Sequence, residues 1–114
     1  MRRLALALAL SLPAAAGAQP AAALNDYPTA ARADYVFGCM ASNGETREAL
    51  DKCACSIDVI ATIIPYDSYV RAETTLSMGQ VPGENGALFR QSEPAHQAVN
   101  ELRRAQAEAE VRCF

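Results

Sequence analysis

From residue 28 onward, apolar positions recur at intervals of three and four, broken only where glycine, proline or asparagine intervenes. PTAARADYVFGCMASNG carries Ala31, Tyr35, Val36, Cys39 and Met40 at helical spacing and closes on Asn43-Gly44, a favoured stop, so it predicts a first helix. TREALDKCACSIDVIATIIP sets Leu50, Cys53, Ile57, Ile60, Ala61 and Ile64 on one stripe, leaves Asp51, Lys52 and Asp58 off it, and ends at Pro65. Its isoleucines are spaced for a helix, not for the alternation of a strand. After Pro65-Tyr66, Asp67 or Ser68 can cap a third helix, because a short oxygen-bearing side chain accepts from first-turn amides. Tyr69, Val70, Ala72 and Leu76, with Glu73 at the edge, carry it to Met78, and Gly79 stops it. Gly79, Pro82, Gly83 and Gly86 then predict a loop to Gln91, pinned by Leu88 and Phe89 turned inward. Ser92 caps the last helix, Pro94 is tolerated in its first turn, and Ala95, Ala98, Val99, Leu102, Ala105, Ala109 and Cys113 form a narrow, small-residue stripe. The expectation is an all-α domain over 28–114: a small, disulfide-stapled bundle of four helices.

The first residues follow a different pattern. MRRLALALALSLPAAAGAQ has basic Arg2 and Arg3, an apolar run from Leu4 to Leu12, and small residues ending at Ala18. That is the form of a secretory signal peptide over 1–18, and the run falls short of the roughly 20 residues that span a bilayer. No cysteine precedes Cys39, so a lipid anchor at the cleavage site is not expected. Residues 19–27, Ala-rich and without period, are expected to be a mobile leader. The chain is expected to be periplasmic or secreted and not inserted in the membrane after cleavage.

Charge narrows the partners. Removing Arg2 and Arg3 with the leader leaves 8 basic against 13 acidic groups. Nucleic acid and anionic lipid both require a basic surface, and no basic block compensates. A domain of this size has a thin stability margin, which crosslinks would widen.

All four cysteines, Cys39, Cys53, Cys55 and Cys113, lie beyond the leader, and an even count in an oxidising compartment reads as two disulfides. Cys53 and Cys55 are two apart on a helix, hence roughly 200° apart around its axis, so each is expected to bond a different neighbour. An antiparallel return through Asn43-Gly44 favours Cys39–Cys53 with Cys55–Cys113; the swapped set, Cys39–Cys55 with Cys53–Cys113, remains open. A thioredoxin-like site wants C-x-x-C at a helix start after a strand, and covalent haem wants C-x-x-C-H; neither pattern is present. A thiol-disulfide oxidoreductase or isomerase using Cys53 and Cys55 is the alternative reading. A metal centre from Cys39, Cys53, Cys55 and His96 is opposed by the divergence of the C-x-C pair, so no metal and no cofactor are expected.

The remaining chemistry is sparse. His96 is the sole histidine and sits in the first turn of the last helix, where it reads as a surface residue rather than a base held by a third group. Glu108 and Glu110 do not face each other. Met40 and Met78 read as core fillers, and Tyr35, Tyr66 and Tyr69 as rings buried with wet hydroxyls.

YVFGCM, Asn43-Gly44, LDKCACSID and IPYDSYVRAET together resemble small exported four-cysteine helical proteins of proteobacteria, mostly without assigned function. Similar chains accompany periplasmic quinoprotein alcohol dehydrogenase systems, so the resemblance implies an accessory role and assigns no catalytic residue. The architecture is also similar to small periplasmic binders such as acid-stress chaperones and toxin-immunity proteins, departing from the former in its four cysteines and lack of dense terminal charge. The expected function is noncatalytic: a monomeric scaffold that binds another periplasmic protein. The candidate surface is the 79–91 loop, with Gly79, Val81, Pro82, Glu84, Asn85 and Phe89 as its contact residues. A small-ligand carrier is a further alternative, disfavoured by the close packing that an Ala-rich last helix permits.

Overall fold

The structure, a computed structural model, describes residues 25–114. The signal-peptide assignment over 1–18 lies outside them. The described residues form five helices and no strand: α1 Thr29–Asn43, α2 Arg47–Ile63, α3 Tyr66–Gly79, α4 Glu84–Gln91 and α5 Glu93–Cys113. The four-helix expectation is therefore corrected, because the segment assigned to a loop contains α4.

Local chemistry explains most boundaries. α1 ends where Gly44 takes φ 101°, a left-handed value that L side chains resist, and its amide donates to the Met40 carbonyl. The Thr46 hydroxyl accepts the Ala49 amide at 3.1 Å and starts α2. Ser92 does the same for Ala95 at the head of α5, with Pro94 in the first turn, where its missing N–H costs nothing. α4 was hidden because eight residues containing Gly86 have weak intrinsic helicity. Its glycine is nonetheless demanded by packing. A Cβ on Gly86 would collide with the Val81 carbonyl, so the chain can fold back this tightly only here.

α5 is the spine. Its Leu102, Ala105 and Ala109 are completely buried and meet Ile57, Ile60 and Ile64 of α2 and Tyr69 and Ala72 of α3. The small side chains let neighbouring backbones approach closely, as the sequence stripe implied. α1 lies outside this core, packed on α2, and none of its residues is fully buried.

Two expectations about burial are corrected. Leu88 does not turn inward and Val70 is not part of the buried stripe of α3: Leu88 is 68% exposed and Val70 40%. Nor does the packed domain begin at Pro28. Tyr27 is buried, its hydroxyl donates to the Ile64 carbonyl at 2.9 Å, and the Asp26 carboxylate accepts the Tyr66 amide at 3.0 Å. The last carbonyls of α2 and the first amides of α3 have no partner within their own helices. Asp26-Tyr27 satisfies one of each at the α2–α3 corner. Asp67, one of the two residues expected to cap α3, instead lies in its first turn, where its carboxylate accepts the Ser68 amide at 2.9 Å and the Arg71 guanidinium at 3.2 Å.

Candidate functional site

The residues expected to make contact gather at the turn from α3 to α5. Gly79 ends α3, Val81 and Pro82 form the exposed turn, Glu84 and Asn85 open α4, and Phe89 is half-buried beneath it. The turn is fastened from within. The Arg90 guanidinium donates to the Gly79 carbonyl at 2.7 Å and the Val81 carbonyl at 3.3 Å, while the His96 ring meets the Arg90 carbonyl. Val81 donates its own amide to the Met78 carbonyl at 3.1 Å. Both bonds come from Nη1 of Arg90, which ties α4 to the end of α3 and to the turn that follows it.

Phe89 is the wall between two clefts. On one side Val70 and Thr74 of α3, Leu88 and Phe89 of α4, and Ala95 and Ala98 of α5 enclose an open, mainly apolar groove of about 560 Å³. On the other, Leu76, Gly79, Phe89, Arg90, His96 and Val99 line one of about 480 Å³. Of the expected contact residues only Phe89 reaches the larger groove; Val81, Pro82, Glu84 and Asn85 stand outside it. The sequence reading missed Val70, Thr74, Ala95 and Ala98, since each sits on or beside a helical stripe that reads as core. The signal that could have found Val70 is its place next to Tyr69: two adjacent residues on a helix lie about 100° apart and cannot both face a narrow core.

The C-x-C pair is held in two separate bonds, Cys39–Cys53 and Cys55–Cys113, each with Cα atoms 5.8 Å apart. Cys53 has no exposed surface, and no described cysteine is free. The bonds leave α2 on different sides, one to α1 and one to the end of α5, as the 200° separation requires. Among the described residues no three His, Cys, Asp or Glu side chains gather as a metal site. No described helix is long and apolar enough to cross a membrane. Two disulfides are the usual mark of an oxidising compartment.

A third groove, about 500 Å³, runs between α1 and α3 and has a different character. Asp34 enters it from α1; Tyr66, Tyr69 and Glu73 enter it from α3. Burial pushes the Glu73 carboxyl above its ordinary range, and the charge of Asp34 adds to the effect. Burial likewise raises the Tyr69 hydroxyl, with Glu73 and then Tyr35 and Asp34 contributing. The ion pairs among the described residues, Arg47–Asp51, Lys52–Glu48, Arg71–Asp67 and Arg112–Glu108, are all surface pairs within single helices and include neither Asp34 nor Glu73.

Comparison with known proteins finds no matching family model, no similar curated protein and no similar solved structure.

Proposed function

We propose that this is a noncatalytic periplasmic protein that binds another protein, with the α3–α4–α5 corner as its contact surface. The observation that carries this reading is that Val70 and Leu88, both exposed, line one groove together with Phe89, Ala95 and Ala98. Large apolar side chains held outward around an apolar recess lose water contacts when a partner covers them, whereas scattered single ones need no such explanation. The scaffold supports the role: Arg90 ties the turn at the corner before binding, which lowers the ordering cost of association. The placement of Cys53 and Cys55 in separate bonds supports a structural rather than a redox use of the pair. An accessory role beside a periplasmic dehydrogenase is the form suggested by the cysteine-spacing resemblance.

Photo-crosslinking tests the surface. A photoreactive residue at position 88 in the exported protein is expected to trap a defined partner, and at Asp58, on the exposed side of α2, to trap none. Val70→Asp should abolish the position-88 product without lowering the melting temperature, because Val70 is already in contact with water. Equal labelling from both positions would refute the assignment.

A further inference from the structure

The chain carries 13 acidic side chains, and none of them lines either cleft beside Phe89. Three other grooves among the described residues each hold at least one: Asp34 and Glu73 between α1 and α3, Glu101 on the outer side of α5, and Glu101 with Glu108 between the end of α2 and α5. Glu84 and Glu93, at the starts of α4 and α5, are exposed and line neither cleft. The charged groups that do line them are cations or a histidine: Arg71 in the larger cleft, Arg90 and His96 in the smaller. Arg71 is already answered by Asp67 at 3.2 Å, whereas Arg90 takes part in none of the ion pairs among the described residues.

Arg90 also presents an edge whose position is set. Its Nη1 is fastened to the Gly79 and Val81 carbonyls, and its Nε and Nη2 make no hydrogen bond among the described residues. Nε and Nη2 are adjacent, parallel donors that match the two oxygens of one carboxylate. A guanidinium already tied through its third nitrogen loses less freedom on pairing than a loose surface arginine does. The same cleft supplies neutral amides from Gln80 and Asn100 and an apolar wall from Leu76, Phe89 and Val99.

We propose that the partner segment seated at this corner is acidic and apolar: it places apolar side chains on the Val70 and Leu88 side of Phe89 and a carboxylate on the Nε–Nη2 edge of Arg90. The inference rests on the docking reading above and adds the chemistry of what docks. A basic segment would set like charge against Arg90, and a neutral one would cover it without a counterion. The acidic surface elsewhere repels such a segment, so the acid-free corner is where its charge is tolerated and its register is fixed.

Blocked peptides of the form Leu-X-X-Phe-X-X, with X as Glu, Gln or Lys, test this when titrated into the disulfide-intact protein and followed by amide chemical shifts. The Glu peptide is expected to shift Val70, Phe89, Arg90 and Val99 and to bind about threefold tighter than the Gln peptide, an advantage that high salt removes. Gln80→Glu and Asn100→Asp, both at exposed positions lining the smaller cleft, add like charge there and should erase the advantage. Ala41→Glu, exposed on α1, adds the same charge elsewhere and should leave it in place. Equal affinities for the Glu and Gln peptides, tighter binding of the Lys peptide, no binding of any peptide, or an advantage that survives Gln80→Glu and Asn100→Asp would overturn the proposal. The photoreactive residue at position 88 keeps the two readings apart. A partner trapped there, with Glu and Gln peptides bound equally, leaves the docking surface standing and removes only its acidic ligand, whereas no trapped partner and no shift around Phe89 remove both.

Discussion

Tyr27 does more for this fold than its place beside an Ala-rich segment suggests. Its ring sits 5.2 Å from those of both Tyr66 and Tyr69, and its hydroxyl reaches a helix-end carbonyl that would otherwise be buried without a partner. Tyr27→Phe keeps the ring and removes only that bond, so it should cost about 1 kcal/mol, whereas Tyr27→Ala also opens a cavity and should cost about 3 to 5 kcal/mol. Urea unfolding of the two variants separates these contributions, and equal losses would show that the hydroxyl dominates. None of this was legible in the sequence, because Asn25-Asp26-Tyr27 has no period and its partners are about 40 residues away. The core positions Ile57, Ile60, Leu102 and Ala105 were legible, because each repeats a stripe whose period needs no knowledge of the neighbour.

At the scale of elements, the contrast between α2 and α4 shows what pattern can and cannot reveal. α2 has a cap at Thr46, a long stripe and a proline at its end, so local and global preferences agree. α4 is a short helix that exists because Gly86 permits contact with the Val81 carbonyl and Arg90 ties the turn from inside. Both are long-range effects that a count of turn-forming residues reads as a loop. Once Leu88 belongs to a helix, its direction is set by Phe89 beneath, and it must point outward. The fastening of α5 carries its own prediction. Cys55 and Cys113 are 58 residues apart, so losing their bond frees a long loop in the unfolded chain. Cys55→Ser should lower stability by about 2 to 5 kcal/mol and release the end of α5 first. Thermal melting with exchange along α5 checks both the magnitude and the place.

The whole molecule is a helical scaffold in which the two cysteines of DKCACSID hold opposite sides of α2. This division was legible from helix geometry alone, though the choice between the two pairings rested on the short return at Asn43-Gly44. Of the residues expected in the contact loop, Phe89 alone lines the groove of the proposed docking corner; Val70, Thr74, Ala95 and Ala98 come from helices whose exposed edges no periodicity marks. In the proposed function these cysteines are structural anchors, and the α3–α4–α5 surface rather than the sulfur chemistry makes the functional contacts. A redox titration of the native protein, with thiols counted by mass after alkylation, tests it most directly. Two structural bonds, one wholly buried at Cys53, should stay oxidised until the potential falls below about −300 mV, and should be reduced without exchange between the pairs. Reduction of Cys53 and Cys55 at the higher potentials of dedicated oxidoreductases, roughly −120 to −270 mV, with the helices still folded, would contradict the account.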